Sequence, residues 1–500
     1  MKQSYEKIFK LALVIIIVLN IFYMFPPDDG LRHMGLAFDT FTSWGDVYPF
    51  SIFEEFKDYN PWFGYDLALR IIAGALKHVP ISLLLISKFI LIKSISLLFS
   101  LIFFFLVMDR SGIFDEVKDR HAFTVATICV VALLSFSFSR IMIARPFAFG
   151  TFFIIFSIGR KGIVQGFLSS LFLAFFYPYL CWIYILPVAF THYIRGDKKF
   201  ALGAISLIVI FLLIQPASFW GFQIALVNSD IVREAINAKI SEFISILKYF
   251  PFYLYLAAFI IIFPYFTENA RRLNYVNVLI LLYLIPSLKY NRYFLDIILP
   301  LLFISFGSEI VRIFLAPCQK LMSSWRTLIK AWLKNIKTLI KWLPLNTGIT
   351  MPEANAKRGR SLKPYIIVTY LIIFSLLFYI NSRQIASLRD FQDQMSPIPE
   401  KSLILTSFNL QYKILFLRPD LRLIPSCEMG FTRDAISKEY INFLNEGVLG
   451  QISQKTGAEY LLESKDIYIN PRDGRFLKLL KENGALKLWR ILIPPNKKMY

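Results

Sequence analysis

Two adjacent carboxylates, an arginine and a histidine stand together in residues 26–33 (PPDDGLRH), directly after the first apolar run of the chain. Neighbouring carboxylates repel each other, and this repulsion raises the pKa of at least one of them. Such a carboxylate suits a general base that takes a proton from a hydroxyl group. An acidic helix cap explains the pair equally well, because Asp is common at helix N-termini. We therefore expect Asp28 and Asp29 to be catalytic, or else to cap the following helix.

The same polar stretch, residues 26–79, contains further candidates for substrate binding. Arg32 can pair with either aspartate or with an anionic ligand, and His33 can share the movement of a proton or simply form a hydrogen bond. The stretch is rich in carboxylates and in Trp and Tyr rings, and the segment 66–75 reads as a short amphipathic helix. The substrate-binding candidates are Arg32, His33, Asp46 and Trp62.

Cations at two other places are candidates for binding phosphate. Arg140 and Arg145 lie at the ends of apolar runs, where a charge needs a partner or a polar cavity. Phosphate is a partner that Arg binds well. Contact of these arginines with lipid headgroups explains their position equally well. In the segment 289–293 (KYNRY), two cations flank a turn between apolar runs, and Asp296 offers Arg292 an alternative partner. The phosphate-binding candidates are Arg292, Arg145, Arg140, Lys289 and Tyr293.

The composition predicts the elements that position these residues. Of 500 residues 56% are hydrophobic, 50 are Phe, and the mean hydropathy is +0.55. Apolar runs of roughly 17–25 residues recur, which is the length of a membrane-crossing helix. The fold class expected is a polytopic α-helical membrane protein with about eleven transmembrane helices. The net charge of +21 gathers between apolar runs, which favours cytoplasmic anchors over nucleic-acid binding.

The alternation of charge predicts two domains. Residues 1–381 form the transmembrane module, with a cytoplasmic N-terminus and external loops at 26–79 and 215–250. A basic amphipathic segment, 316–363, lies on the cytoplasmic side. Residues 382–500 form an extracytoplasmic soluble α/β domain.

In that tail, strands are expected at 402–406, 422–425, 459–463 and 486–493, and a helix at 472–483. The four cysteines form no CxxC pair, which leaves no disulfide framework or zinc pattern. No metal site is predicted.

The layout resembles the GT-C superfamily of integral membrane glycosyltransferases, which use polyprenyl-phosphate-linked sugars. In that fold the first external loop carries an acidic residue or pair, a later external turn supplies an Arg, and many members end in an extracytoplasmic domain. Asp28-Asp29 matches the acidic pair by position. Arg145-Pro146 and Asn291-Arg292-Tyr293 are similar to the Arg-bearing helix starts of bacterial members. No WWD-type motif is present, which disfavours the oligosaccharyltransferase branch.

The resemblance implies an inverting glycosyltransferase of envelope glycan biosynthesis, in a bacterial cytoplasmic (inner) membrane and acting on its extracytoplasmic face. Asp28 or Asp29 would be the base, and Arg292, or else Arg145, would stabilise the departing lipid phosphate. No cofactor is required, although the acidic pair could hold a divalent cation. The implied partners are a polyprenyl-phosphate-linked sugar, a glycan, lipid or protein acceptor, and membrane lipids, without nucleic acid.

Two other functions remain open from the residues. A lipid-linked glycan transporter or flippase would line a path open to both faces with charge, whereas the charges here cluster on one face. A non-catalytic subunit of an envelope assembly would use the tail for docking and would not need Asp28 or Asp29. A glycan polymerase is a near relative in chemistry, and the two external loops only partly disfavour it.

Overall fold

The fold is seen in a computed structural model. It describes residues 13–23, 28–38, 44–51, 62–76, 79–113, 130–178, 180–214, 270–289, 291–307, 363–424, 434–464, 469–484 and 486–492, with the single positions 54, 60 and 127. The predicted loop 215–250 lies outside these residues, as does the basic segment 316–363 except for its last residue, where a helix begins.

The N-terminal third is helical. The short helices α1, α2, α3 and α4 precede a long helix, α5, and the predicted external loop 26–79 therefore contains helical structure of its own. Their bounds are Leu13–Phe22 (α1), Asp29–Ala37 (α2), Trp44–Val47 (α3), Phe63–Leu76 (α4) and Ile81–Arg110 (α5).

A group of shorter helices follows, joined by tight turns. These are Ser135–Met142 (α6), Ala148–Ser157 (α7), Ile163–Phe176 (α8), Cys181–Ile194 (α9) and Lys198–Ile214 (α10). Helices α8 and α10 approach closely, since a Cβ at Gly166 would overlap the carbonyl oxygen of Phe200 and one at Gly203 that of Ile163. Glycine is therefore needed at both crossing points.

The second cationic segment, 289–293, lies between the next two helices. Helix α11 (Ala270–Lys289) is followed by a short turn of helix, Asn291–Tyr293, and then by α12 (Phe294–Gly307). Helix α12 begins with a π-helical turn, Phe294–Ile298, of the kind often found at functional sites. A further long helix, α13 (Lys363–Gln394), runs without a break across position 382, where the sequence places the start of the tail domain.

The prediction of a polytopic membrane protein with about eleven spans is wrong. Within the residues described, one helix, Leu83–Arg110, is long and apolar enough to cross a bilayer, and six further apolar helices have only 10–17 residues. A 14-residue helix such as α8 is about 21 Å long, against roughly 30 Å for a bilayer core. The placement in the bacterial inner membrane as a multi-pass protein, with the N-terminus cytoplasmic and the tail extracytoplasmic, falls with the same finding.

The physical reason is that apolar runs also form the core of a folded chain. Helix α7, predicted as part of a span, buries every residue except Phe156 inside the protein. A helix that is hydrophobic all round is expected in such a core as well as in a membrane. Hydropathy alone did not separate these two environments.

The tail contains a five-stranded mixed sheet with the order β2-β1-β3-β5-β4. Strand β1 is parallel to β2 and β3, whereas β5 is antiparallel to β3 and β4. The segment 472–483, predicted as a helix, is mostly strand β4. The strands are Leu403–Thr406 (β1), Arg422–Ile424 (β2), Tyr460–Glu463 (β3), Leu477–Asn483 (β4) and Leu486–Ile491 (β5); the helices are Phe408–Leu417 (α14), Asp434–Glu446 (α15), Leu449–Thr456 (α16) and Pro471–Gly474 (α17).

The tail packs directly on the helix that carries the acidic pair. A Cβ at Gly35 of α2 would overlap the carbonyl oxygen of Leu415 in α14, so the two helices touch backbone to backbone. Lys88 of α5 donates a hydrogen bond to the carbonyl oxygen of Phe416 at 3.1 Å. One hydrophobic core consequently runs from the N-terminal helices into one face of the sheet, and α15 and α16 cover a second core that includes Leu405.

Candidate active site

The acidic pair forms the N-terminus of α2. Asp28 has an extended backbone (φ −151°, ψ 176°), and its side chain accepts a hydrogen bond from the backbone N–H of Asp29 at 2.6 Å. Asp29 occupies the first turn of the helix. The positive end of the helix dipole stabilises negative charge at both positions. The acidic pair is thus a helix cap by position, and this leaves its carboxylates at a defined place beside an arginine.

That arginine is Arg145, in the turn between α6 and α7. The preceding residue, Ala144, adopts φ +56°, a conformation that costs a non-glycine residue about 1 kcal/mol or more. The carbonyl oxygen of Ala144 accepts a hydrogen bond from the Tyr65 hydroxyl of α4. Gly30 lies so close that a Cβ would overlap the carbonyl oxygen of Ile143. These contacts press the turn onto the start of α2.

Two arginines approach the carboxylates from within the protein. Arg145 Nη1 lies 3.4 Å from Asp28 Oδ1 and 3.8 Å from Asp29 Oδ2, and Arg32 Nη2 lies 3.2 Å from Asp29 Oδ1. The side chains of Asp28 and Asp29 are 21% and 16% exposed, whereas that of Arg145 is 7% exposed and that of Arg32 is fully buried. The carboxylates therefore face outward with cations behind them.

Arg140 lies beside Arg145 but is paired with another acid. The guanidinium carbons of Arg140 and Arg145 are 5.1 and 4.4 Å from the centroid of the Phe147 ring. Arg140 makes a bidentate ion pair with Asp296, in which Nη2 is 2.9 Å from Oδ2. Asp296, which the sequence offers as a partner of Arg292, thus forms an ion pair with Arg140.

A tyrosine closes this side of the site. The Tyr23 hydroxyl donates a hydrogen bond to the carbonyl oxygen of Ser139 at 2.9 Å. Burial, and next the charge of Asp28, raise the pKa of Tyr23 well above that of a free phenol. Tyr23 is therefore a neutral donor beside the carboxylate pair.

The second cationic segment lies among aromatic residues. The Arg292 guanidinium is 5.0 Å from the Tyr293 ring and donates to the Tyr293 hydroxyl at 3.2 Å. Tyr177 and Tyr184 also lie near this guanidinium. Lys289 ends helix α11, and its side chain lies outside the described residues. Arg292 and Tyr293 are thus placed against each other, and Arg145 is brought to Asp28 and Asp29.

The other predicted substrate contacts lie deeper. Trp62 is 2% exposed, and the centroid of one of its rings is 4.5 Å from the Arg32 guanidinium carbon. His33 is 1% exposed, and its Nδ1 lies 2.6 Å from Asp66 Oδ1. Asp46 is half-buried in the first turn of α3. The contact of these residues with a substrate stays a prediction.

Asp66 is the residue of this region that sequence reasoning missed as a site candidate. Its Oδ2 accepts hydrogen bonds from Trp44 Nε1 at 3.1 Å and from Asn60 Nδ2 at 3.0 Å. It borders a narrow opening lined by Leu36, Ala37, Trp44, Asp66 and Arg70. No local motif points to this residue, because its partner His33 lies 33 positions away.

Metal ligation and relatives add no constraint to this geometry. Among the described residues there is no group of three or more His, Cys, Asp or Glu side chains arranged to hold a metal ion. The chain matches no known protein-family model and no curated protein sequence. The site must therefore be interpreted from its own residues.

Proposed function

We propose that the protein transfers a sugar from a polyprenyl-phosphate donor to an acceptor hydroxyl, with inversion at the anomeric carbon. The observation that carries the proposal is the position of Arg145, 3.4 Å from Asp28 and 3.8 Å from Asp29, beside the partly exposed N-terminus of α2. The site thereby combines a base with a cation for a leaving anion. A general base and stabilisation of the leaving charge each accelerate glycosyl transfer from a phosphate.

Transfer replaces one bond of the anomeric carbon by another. A carboxylate of the pair takes the proton of the acceptor hydroxyl, and the acceptor oxygen forms a new bond to the anomeric carbon. The bond between that carbon and the phosphate oxygen breaks, and its electron pair leaves with the lipid phosphate. Arg145 stabilises the phosphate charge, since guanidinium binds phosphate oxygens in charge-assisted hydrogen bonds.

Two further features support a lipid-linked donor. Helix α4, whose Tyr65 hydroxyl holds the Arg145 turn, exposes Phe63, Leu67 and Ile71, the last of them by 67%. Helix α8 packs beside it through Gly64 and Phe175 and exposes more apolar side chains. Exposed apolar patches are typical of contacts with lipids or with proteins. An isoprenoid chain can lie along this surface with its phosphate at Arg145.

The test is an assay of the full chain with a panel of polyprenyl-phosphate sugars, in which the release of polyprenyl phosphate is measured. Asp28→Asn and Asp29→Asn each remove one carboxylate, and we expect the base variant to lose about 10²–10⁴-fold in rate. Arg145→Gln should lose about 10²–10³-fold. The matched control is Asp420→Asn, which breaks the Arg418–Asp420 ion pair of the tail and should leave the rate unchanged.

Three results would overturn the proposal. One is donor binding by the wild type without any release of lipid phosphate. Another is a wild-type rate in both Asp variants. The third is passage of an intact lipid-linked glycan across a vesicle bilayer without cleavage, which would establish the flippase alternative.

A further inference from the structure

An unbroken row of polar contacts runs from the buried Asp66 to the carboxylate pair. Asp66 Oδ1 lies 2.6 Å from His33 Nδ1, and His33 Nε2 lies 3.5 Å from Arg32 Nη2. The same Arg32 nitrogen lies 3.2 Å from Asp29 Oδ1. The row joins α4 to the N-terminus of α2. The side chains of His33 and Arg32 within it are fully buried.

The chemistry of the row selects one form of His33. A carboxylate accepts hydrogen bonds and a guanidinium only donates them. Nδ1 must therefore carry the proton that faces Asp66, and Nε2 must be the bare nitrogen that faces Arg32. The neutral Nδ1-protonated tautomer satisfies both neighbours, and the other tautomer would set two donors against each other.

The two ends of the row are held in place. Asp66 Oδ2 is fixed by Trp44 and Asn60, so its other oxygen is directed at His33. The Arg32 guanidinium carbon lies 5.0 Å from the Trp44 ring and 4.5 Å from the nearer ring of Trp62. Aromatic faces and a cation attract each other strongly when both are desolvated. The contact with His33 is made by Nη2 of Arg32, the same nitrogen that faces Asp29.

We propose that Asp66 and His33 are positioning residues: they orient Arg32, and Arg32 holds the Asp29 carboxylate in its place beside Asp28 and Arg145. This inference rests on the proposed function and deepens it. Neither residue touches the reacting atoms. They act through Arg32, much as outer-shell partners of a ligand fix its orientation.

Asp66→Asn tests the row with little change in shape. If the Asn oxygen faces Trp44 and Asn60, its amide N–H₂ faces His33 Nδ1 and forces the proton to Nε2, against Arg32. If the amide is turned round, its N–H₂ faces the donors of Trp44 and Asn60. We expect a tenfold to hundredfold fall in kcat, on the order found for outer-shell substitutions, with the KM for the donor unchanged.

Two substitutions of His33 separate the halves of the row. The Gln side-chain amide falls near the position of Nε2, and the Asn amide falls near that of Nδ1. His33→Gln can therefore still accept from Arg32, whereas His33→Asn keeps only the bond to Asp66. We expect His33→Gln to retain most of the rate and His33→Asn to lose tenfold or more. If His33 had a purely structural role, both variants would give less folded protein, and the rate of the folded fraction would not differ between them.

The contact between Asp66 and His33 can be tested by spectroscopy, without any assay of activity. The chain has four histidines, so ¹⁵N-histidine labelling with a His33→Gln reference spectrum assigns His33. We expect the Nδ1-protonated tautomer in the full-length wild type and the Nε2-protonated tautomer in Asp66→Asn. The matched control is Asp197→Asn, which removes the carboxylate beside His192; neither the His33 signals nor kcat should change.

The outcomes separate this inference from the proposed function. An unchanged His33 tautomer and a wild-type kcat in Asp66→Asn would overturn the positioning role of Asp66 and His33, while the transferase reaction would stand. A wild type that turns over no donor would overturn the proposed function, and the tautomer would still decide whether Asp66 governs His33. Equal kcat values in His33→Gln and His33→Asn would show that the Arg32 contact does not position the pair.

Discussion

Two buried histidines each face an aspartate, and they are built in opposite ways. His33 Nδ1 lies 2.6 Å from Asp66, and its Nε2 faces the Arg32 guanidinium. His192 Nδ1 lies 3.6 Å from Asp197, and its Nε2 lies 3.2 Å from the carbonyl oxygen of Ser157. A carbonyl can only accept, so His192 must carry its proton on Nε2. The two pairs therefore use opposite tautomers.

The difference shows that the second ring nitrogen determines what such a pair does. Nε2 of His33 faces the Arg32 guanidinium, which in turn contacts the partly exposed Asp29 carboxylate. Nε2 of His192 ties α9 to the end of α7, and Asp197 accepts from the backbone N–H of Phe200 at the start of α10. The first pair contacts the candidate site through Arg32, whereas the second pair joins helices.

The largest effect is expected from Arg32→Met, which keeps much of the side-chain volume and removes a fully buried cation. It leaves Asp29 without its inner partner and places apolar atoms beside His33. Removal of one partner of a buried ion pair typically costs about 3–5 kcal/mol in the free energy of unfolding. Denaturant unfolding of the purified chain measures it. The control is the exposed Arg195→Met beside His192, for which we expect less than about 0.5 kcal/mol.

A glycine substitution comes next, because both regions depend on close helix contacts. Gly30→Ala would force α2 away from the Ile143 carbonyl, and Gly203→Ala would force α10 away from that of Ile163. Overpacking of this kind costs about 1–3 kcal/mol. We expect both to lower the unfolding free energy, and Gly30→Ala alone to reduce transfer by the protein that remains folded.

A control for this pair of variants lies in α4. Gly74 has open space around it, so Gly74→Ala should be neutral or stabilise by up to about 1 kcal/mol, as Ala does relative to Gly in helices. Equal losses of transfer in Gly30→Ala and Gly203→Ala would contradict the separate roles of the two regions.

The two aspartates themselves give a smaller contrast. Asp66 accepts hydrogen bonds from His33, Trp44 and Asn60, whereas Asp197 is one-fifth exposed and lies 3.6 Å from the unprotonated Nδ1 of His192. A buried group left without its partner typically costs about 1–3 kcal/mol. Asp66→Asn should therefore lower the unfolding free energy by about 2 kcal/mol, and Asp197→Asn by less than half as much. Equal losses would remove the energetic distinction between the pairs.

The smallest effect is a pH dependence of stability that comes from His192. Burial lowers the pKa of His192 below its ordinary value, although the Ser157 carbonyl and Asp197 oppose this. The unfolded chain therefore binds a proton at a pH where folded His192 does not, so stability is full above about pH 6.5 and falls as the pH drops towards the folded pKa.

His192→Gln keeps an amide donor for Ser157 and has no proton to gain in this range. Thermal unfolding between pH 7.5 and pH 5 should therefore show a shallower slope in this variant than in the wild type. Identical slopes would mean that His192 is not the group that titrates.

The chemistry-bearing residues were found in part from the sequence. The Asp28-Asp29 pair after an apolar run and Arg145 before a proline were both chosen from local pattern, and the structure places them together. The partner of Arg140 could not be chosen in this way, because Asp296 lies 156 positions away. Asp66 was missed for a similar reason: nothing in its own segment indicates that it faces His33.

The secondary structure was more predictable than the environment around it. The apolar runs at 81–108, 163–177 and 178–194 do form helices α5, α8 and α9. Helices α8 and α9 are too short to cross a bilayer, and one part of their apolar residues packs in the core while another part is exposed. In the tail, residues 477–483 pair with β5 in spite of a helical pattern, because strand pairing overrides weak local preference.

The sequence by itself determined where the apolar helices α5, α8 and α9 form, which segments carry charge, and that a carboxylate pair caps an early helix, since these depend on neighbours within a few positions. Tertiary structure decided that the apolar helices contribute to a common core, that Arg145 reaches Asp28 and Asp29, and that His33 and His192 use opposite tautomers. Each of these depends on contacts between residues that are far apart in the chain, and the free energy of such contacts is set by packing and by the loss of water around the charges.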